Sequence, residues 1–170
     1  MEEGHHILSK SEMEEVLAER HTLPIYRKLK RSGAAIAGLG GLGSHVAVML
    51  ARTGIGSLHL IDFDRVEPSN LHRQAYKMKH LGRYKTDALR EEISEINPYI
   101  SVRTDTVKLT PDNIGSLLAD DRIICEAFDR AENKAMLVNH LLEHRPDAVI
   151  VSGSGMAGFG SSNTIHTKKR

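Results

Sequence analysis

The stretch from Ala34 to Gly43 reads AAIAGLGGLG, a short apolar run followed by a glycine-rich loop. Apolar residues at helical spacing follow as far as Thr53, so the loop lies between a predicted strand and a predicted helix. Gly38, Gly40 and Gly43 have the spacing Gly-x-Gly-x-x-Gly, which allows a tight turn, close approach to a phosphate and close helix–strand packing. The free N–H groups at the start of the helix would bind that phosphate. The stretch therefore predicts a nucleotide site; without a ligand, the same glycines would form only a tight turn.

Predicted strands and helices alternate along the rest of the chain. This alternation predicts a Rossmann-like α/β fold, doubly wound, with a mostly parallel sheet and helices on both faces. We assign it to residues 33–170, whose end shortly after a strand is the pattern of a C-terminally truncated domain. The predicted strands are residues 34–37, 57–61, 100–106, 122–125, 148–151 and 159–166, and the predicted helices are residues 43–53, 84–96, 111–118 and 131–143.

Residues 1–32 are predicted to form an N-terminal helical extension. Two short helices are expected there, over residues 9–20 and 24–31, and neither has the pattern of a core helix. Ser11, with Glu14 three residues later, is the predicted cap of the first helix.

The composition excludes several classes of protein. The chain has 170 residues, a net charge of +1 and a single cysteine, Cys125. It therefore has neither an internal disulfide nor a four-cysteine zinc site, and it lacks the charge excess typical of nucleic-acid binding. No apolar run reaches the roughly 18 residues that span a bilayer. We expect a cytoplasmic protein that binds neither membrane nor nucleic acid, with Cys125 as a buried core thiol.

Asp62 ends the second predicted strand, 24 residues after Gly38. Dinucleotide-binding folds have a carboxylate about 20 residues beyond the first glycine, where it accepts hydrogen bonds from ribose hydroxyls. The alternative is a solvated strand end. Asp64, two residues later, is interpreted as structural.

The long connection after Asp62, residues 63–82, has little periodicity, which favours a functional loop. Arg73 and Lys85 are often surface charges when taken singly, but cations beside a nucleotide stabilise a leaving pyrophosphate. Asp129 follows the fourth strand, and its position fits a helix N-cap as well as a Mg²⁺ ligand. Phe128 beside it is interpreted as core.

These residues belong to a series of motifs that resembles the ThiF/MoeB/HesA family, bacterial relatives of the ubiquitin-activating enzymes. The resemblance covers residues 33 to about 165, and residues 19–22 and 152–158 resemble the short ThiF-like branch in particular. The motifs are GLGGLGS from Gly38, Gly54-x-Gly56, LIDFD ending at Asp64, SNLHRQ ending at Gln74, Lys85-Thr86, INP ending at Pro98 and EAFD ending at Asp129.

The resemblance implies an enzyme that uses Mg-ATP to adenylate the C-terminal glycine of a ubiquitin-like sulfur-carrier protein of the ThiS type, in thiamine thiazole synthesis. It also implies a homodimer, and residues 153–165 are expected to grip the carrier's tail. The implied catalytic residues are Arg73, Lys85 and Asp129, with Asp129 as the Mg²⁺ ligand. The implied ATP-binding residues are Gly38, Gly40, Gly41 and Gly43 for the phosphates, Asp62 for the ribose, and Asn70, Arg73, Gln74 and Lys85.

The chain departs from the family pattern in three ways. It has neither the two Cys-x-x-Cys pairs that bind zinc nor a cysteine downstream of the adenylation core. The N-terminal arginine that many members contribute across a dimer has no clear equivalent, since Arg20 and Arg27 stand in a different setting. Three other functions stay open: a NAD-dependent oxidoreductase, a non-catalytic nucleotide- or partner-binding module, and adenylation of a threonylcarbamoyl group on tRNA, which the near-neutral charge disfavours.

Overall fold

The structure is a computed structural model that describes residues 7–153. Strands β1 to β5 are Gly33–Ala37, Ser57–Ile61, Ser101–Asp105, Ile123–Glu126 and Val149–Ser152. Helices α1 to α6 are Lys10–His21, Leu23–Lys30, Gly41–Thr53, Lys85–Ile96, Pro111–Leu117 and Ala131–His144. The predicted elements within this range are present, with ends shifted by two residues at most.

The five strands form one parallel sheet in the order β3-β2-β1-β4-β5. The chain moves outward from β1 through β2 to β3, returns to the other side of β1 as β4, and continues to β5. The strand order thus reverses between β1 and β4, where loops diverge and leave a crevice at the carboxyl ends of the strands. This arrangement confirms the predicted Rossmann-like fold.

Two apolar layers cover the two faces of the sheet. On one face α3 and α4 pack against Ile36, Leu58 and Leu60. On the other face α5 and α6 cover a second cluster that includes Ile61 and Ile124. Because strands buried on both faces alternate between the two clusters, they have the continuous apolar runs seen in the sequence.

The N-terminal extension differs from the sequence-based expectation in two respects. Ser9, rather than Ser11, caps α1, because Ser9 and Glu12 form a reciprocal capping box that begins the helix at Lys10. Tyr26 of α2 is only 6% exposed and belongs to the core, contrary to the expectation that neither helix enters it. The ring fills the space beside Gly54, at the end of α3.

Part of the prediction lies outside the described residues: the strand over 159–166 and the tail-binding segment over 153–165, apart from Gly153. In the range 7–153, none of the helices combines the length and the apolar character required to cross a bilayer.

A buried histidine on β2 is hydrogen-bonded to two aspartates. His59 is 4% exposed, and its Nε2 and Nδ1 lie 2.7 Å from carboxylate oxygens of Asp105 and Asp121 respectively. Partial burial raises the pKa of Asp105, but hydrogen bonds from His59 and Arg103 outweigh it and hold this pKa below its ordinary value of 3.8. The ring therefore joins the end of β3 to the turn before β4.

We expect Asp105→Asn to lower the free energy of unfolding at pH 7, with the difference from wild type shrinking as the pH falls below about 4. The pKa of Asp105 is depressed in the folded state, so its contribution is complete above the unfolded pKa and disappears as the carboxylate is protonated. Urea unfolding at pH 7, 5 and 3 measures this, with exposed Asp120→Asn as the control. A pH-independent difference would contradict it.

Candidate functional site

A cleft of about 570 Å³ opens at the carboxyl ends of β1, β2 and β4, at the point where the strand order reverses. The structure brings the predicted site residues together along its walls, with the exception of Gly43. Those that line it are Gly38, Gly40, Gly41, Asp62, Asn70, Arg73, Gln74, Lys85 and Asp129.

Gly38, Gly40 and Gly43, at the junction of β1 and α3, occupy three different environments. Gly38 has a φ of +93°, a conformation that side chains disfavour. A Cβ on Gly43 would lie 1.9 Å from the carbonyl oxygen of Gly38, so only glycine lets α3 pack this closely on the strand end. A Cβ on Gly40 would meet no atom within 4 Å, which leaves open space at the N-terminus of α3. That open end, with its unpaired N–H groups and positive dipole, is suited to a phosphate.

Leu39 of the glycine loop is held on both sides of its backbone. Its N–H donates to Oδ2 of Asp62 at 2.7 Å, and its carbonyl accepts from the hydroxyl of Tyr76 at 2.8 Å. Burial, followed by the nearby charges of Asp62 and Asp64, raises the pKa of Tyr76, which stays a neutral donor. This role of Tyr76 is not predictable from the sequence, because nothing in the local pattern indicates which backbone group a buried hydroxyl reaches.

Lys85 begins α4 and points into the cleft from a buried position. It is 6% exposed, and its Nζ donates to Oδ2 of Asp64 at 2.8 Å and lies 4.0 Å from Oδ2 of Asp62. Asp64 was interpreted as structural, and in the structure it is the counter-ion of Lys85. A buried ammonium of this kind interacts strongly with any further anion in the cleft.

The connection from β2 to α4 is fastened to the first turns of α3. The hydroxyl of Ser44 accepts from the N–H of Ala75 at 3.1 Å, and Nε2 of His45 lies 3.2 Å from the carbonyl oxygen of Arg73. The exposed guanidinium of Arg73 is thereby held beside the glycine loop, and its Nη1 donates to the carbonyl of Ser69 at 3.2 Å. Gln74 lines the cleft and is 7% exposed, and its buried Oε1 has no hydrogen-bond partner among the described residues.

Asp129 lies exposed on the loop between β4 and α6, on the wall of the cleft. The helix begins at Ala131 with Arg130 in the N-cap position, so Asp129 is not its cap. Phe128 is half-buried and packs against the apolar cluster under α5 and α6, in line with the expected core role, and it also lines the cleft. Cys125 is buried as expected, and burial followed by the charge of Glu126 raises the pKa of its thiol.

The cleft also has walls that the sequence analysis did not identify. Apolar Phe63, Val107 and Leu109 follow β2 and β3. The cations Lys108, Arg130 and Lys134 add to Arg73 and Lys85, against the acids Asp62, Asp64 and Asp129. Cations therefore outnumber acids in the lining, although the whole chain is close to neutral.

The residues fit Mg²⁺ together with a phosphate ligand better than Mg²⁺ alone. Among residues 7–153 no group of three or more histidine, cysteine or acidic side chains is arranged to hold a metal ion. Mg²⁺ commonly takes one or two carboxylates, with phosphates and water as the other ligands. Asp129 beside the open glycine loop meets that requirement.

Comparison with known proteins identifies a family and relatives that cover most of the chain. The model of the ThiF family matches residues 13–169. The adenylyltransferase and sulfurtransferase MOCS3 of Culex quinquefasciatus is 35% identical over 143 residues, which are 83% of this chain and 32% of that protein. The chain thus spans about a third of the length of this curated relative.

Two solved structures share the fold. TcdA of E. coli, a tRNA N6-threonylcarbamoyladenosine dehydratase solved in complex with ATP, superposes with a TM-score of 0.81 at 27% identity, over 93% of this chain and 66% of TcdA. MccB of E. coli, solved with MccA-N7isoASN, superposes with a TM-score of 0.66 at 28% identity, over 81% of this chain and 38% of MccB.

We expect Gly40→Ala and Gly43→Ala to separate nucleotide binding from folding. The methyl group of Gly40→Ala enters open space in the cleft, so ATP binding weakens by about tenfold or more while stability falls by about 1 kcal/mol or less. Gly43→Ala forces α3 off the strand end, which lowers the free energy of unfolding by about 1–3 kcal/mol. Calorimetric ATP titration and urea unfolding of both variants test this; equal loss of stability in the two would contradict it.

Proposed function

Because the chain belongs to the ThiF family, we propose that it is an adenylyltransferase domain that uses ATP to activate the C-terminal glycine of a ubiquitin-like sulfur-carrier protein. Within this family we favour a carrier of the ThiS type, and hence thiamine thiazole synthesis, on the resemblance of residues 19–22 and 152–158 to the short ThiF-like branch. The proposed reaction class rests on the family match. The proposed type of carrier rests on the resemblance of residues 19–22 and 152–158.

One observation supports ATP most directly: an open helix N-terminus, a ribose-type carboxylate and an excess of cations share one cleft. Gly40 leaves room for phosphate at the start of α3. Asp62 stands at the end of β2, where a ribose hydroxyl would meet a carboxylate that already accepts two backbone hydrogen bonds. Arg73 and Lys85 line the same cleft, where they would face a bound triphosphate. TcdA, with the same fold, binds ATP.

The proposed reaction needs alignment and charge stabilisation more than proton transfer. A terminal carboxylate is ionised at pH 7, so one of its oxygens attacks the α-phosphorus of ATP directly. The bond from that phosphorus to the bridging oxygen breaks, pyrophosphate leaves, and an acyl-adenylate remains. Arg73 and Lys85 would stabilise the negative charge that grows on the leaving pyrophosphate.

Asp129 would hold Mg²⁺ beside the phosphates, and the ion would neutralise part of their charge. Because Asp129 is exposed on its loop, the carboxylate reaches a ligand in the cleft without a rearrangement of the helix that follows. The same wall offers Arg130 as a further cation toward the incoming carrier tail.

A NAD-dependent oxidoreductase is the weaker alternative. The glycine loop and Asp62 would serve a dinucleotide as well, but hydride transfer has no use for Arg73, Lys85 and the other cations of the lining. The TcdA likeness keeps open a substrate attached to tRNA, since that neighbour is a tRNA N6-threonylcarbamoyladenosine dehydratase. We favour the carboxylate of a protein carrier as the substrate, and the exchange assay below tests it.

We expect the chain to catalyse exchange between ATP and labelled pyrophosphate only when Mg²⁺ and a ubiquitin-like carrier with a C-terminal glycine are both present. Arg73→Ala and Asp129→Ala are each expected to lower the exchange rate by about 100-fold, because each removes charge stabilisation made in the transition state. Mass spectrometry of the carrier is expected to show an added AMP at its C-terminus.

Arg52→Ala is the matched control, since Arg52 is an exposed arginine in the last turn of α3, away from the cleft. It should leave exchange unchanged. Unchanged exchange in Arg73→Ala or Asp129→Ala would refute the assigned residues. Tight NADH binding without ATP binding would refute the reaction.

A further inference from the structure

A fully buried carboxylate stands at the last position of β4. Glu126 is 0% exposed, although it directly precedes the loop that carries Asp129 to the cleft. A buried carboxylate is costly to desolvate, so it is retained only where hydrogen bonds and an opposite charge compensate it. Glu126 begins the family motif EAFD, but the proposed reaction gives it no role.

Both oxygens of the Glu126 carboxylate are bound, by three partners from three elements. Its Oε1 accepts from the backbone N–H of Phe128 at 2.7 Å. Its Oε2 accepts from the hydroxyl of Ser152 at 2.6 Å and forms an ion pair with Nζ of Lys134. One side chain thus joins the loop after β4, the first turns of α6 and the end of β5.

All three partners stand next to the cleft. Phe128 and Lys134 line it, and Ser152 precedes Gly153, which lines it as well. The loop is also pressed against the glycine loop, because a Cβ on Gly38 would lie 3.0 Å from the carbonyl oxygen of Ala127 and 3.0 Å from the ring of Phe128. A shift of this loop would therefore move Asp129 relative to the phosphate site.

We propose that Glu126 is a positioning residue for the adenylation reaction, which sets the loop of Asp129 against the glycine loop through the N–H of Phe128. This inference rests on the proposed function. The start of the loop is also tied to β1, because the N–H of Ala127 donates to the carbonyl of Ala37 at 2.9 Å. Glu126 fixes the next residue of the loop, Phe128, by accepting its N–H. Lys134 supplies the counter-charge, and Ser152 is the third partner.

Glu126→Gln is the sharpest substitution, because it preserves shape and removes charge. An amide has one acceptor oxygen and one NH₂ group, so it cannot accept from Phe128 on one side and from Lys134 and Ser152 on the other. In either orientation of the amide, a donor faces a donor. Either the N–H of Phe128 loses its acceptor and the loop is released, or the ammonium of Lys134 loses its partner and turns away from residue 126.

We expect Glu126→Gln to lower kcat of carrier-dependent adenylation by about 10- to 100-fold, the range typical of partners that orient a reactive group. The KM for ATP is expected to change by less than about threefold, because the glycine loop and Asp62 are untouched. Ser152→Ala removes one anchor only and is expected to show a smaller decrease in kcat. This milder variant keeps the test informative if Glu126→Gln folds poorly.

The matched control is Asp121→Asn, which disturbs a carboxylate at the opposite end of β4. Asp121 is hydrogen-bonded to the buried His59, so its loss lowers stability without touching the cleft. It is expected to leave kcat unchanged at a temperature where the variant is folded. An equal loss of kcat in Asp121→Asn would show that Glu126 acts only through stability, and would overturn the proposal.

A double substitution tests whether Glu126 acts through Asp129. If it does, adding Glu126→Gln to Asp129→Ala lowers kcat by less than about twofold more, since residues that act as a unit are non-additive. Independent, multiplicative losses would overturn the proposal.

Amide hydrogen exchange gives a measure that does not need activity. Glu126→Gln is expected to speed exchange at the N–H of Phe128 by about tenfold or more, with no change over β2, because a lost hydrogen bond opens the loop locally. Unchanged exchange at Phe128 would overturn the proposal. If the wild-type chain adenylates no carrier, the proposed function fails, while this measurement still decides the positioning role.

Discussion

The close contact between the first turn of α3 and the end of β1 is the constraint on which the rest of the molecule depends. Gly43 lies so near the carbonyl of Gly38 that no side chain fits between them. This contact places the N-terminus of α3 at the carboxyl edge of the sheet, where its dipole and free N–H groups face the cleft. The connection from β2 to α4 is then fixed to α3, because Ser44 and His45 form hydrogen bonds with the backbone of Ala75 and Arg73.

Carboxylates at the ends of the strands provide the second level of order. Asp62 follows β2 and binds the N–H of Leu39, while Glu126 ends β4 and binds the N–H of Phe128. Asp105 ends β3 and binds His59. In each of the first two cases the carboxylate fixes the loop that forms one wall of the cleft. Hydrogen bonds to charged acceptors are stronger than neutral ones, so a few such bonds hold long loops in place.

Much of the fold was predictable, because its signals are local. The strand–glycine loop–helix unit at Ala34 to Thr53 needs only the pattern of apolar residues and glycines. The errors arose where packing competes with local preference. Ser9 and Ser11 both precede a glutamate at capping-box spacing, and only the folded chain selects Ser9. Tyr26 lies in the short, basic helix α2, and its burial depends on the space beside Gly54.

The candidate site was predictable as a set of residues, and the ThiF family match confirms the resemblance that suggested it. The sequence by itself determined which residues follow which strand, and in a parallel sheet this is enough to bring Gly38, Asp62 and Asp129 to one edge. Only the tertiary structure decided the pairings: Lys85 with Asp64, Tyr76 with Leu39, and Glu126 with Lys134 and Ser152. The physical reason is that a helical or strand period encodes which face of an element is buried, whereas a side-chain contact depends on where that face lands on another element.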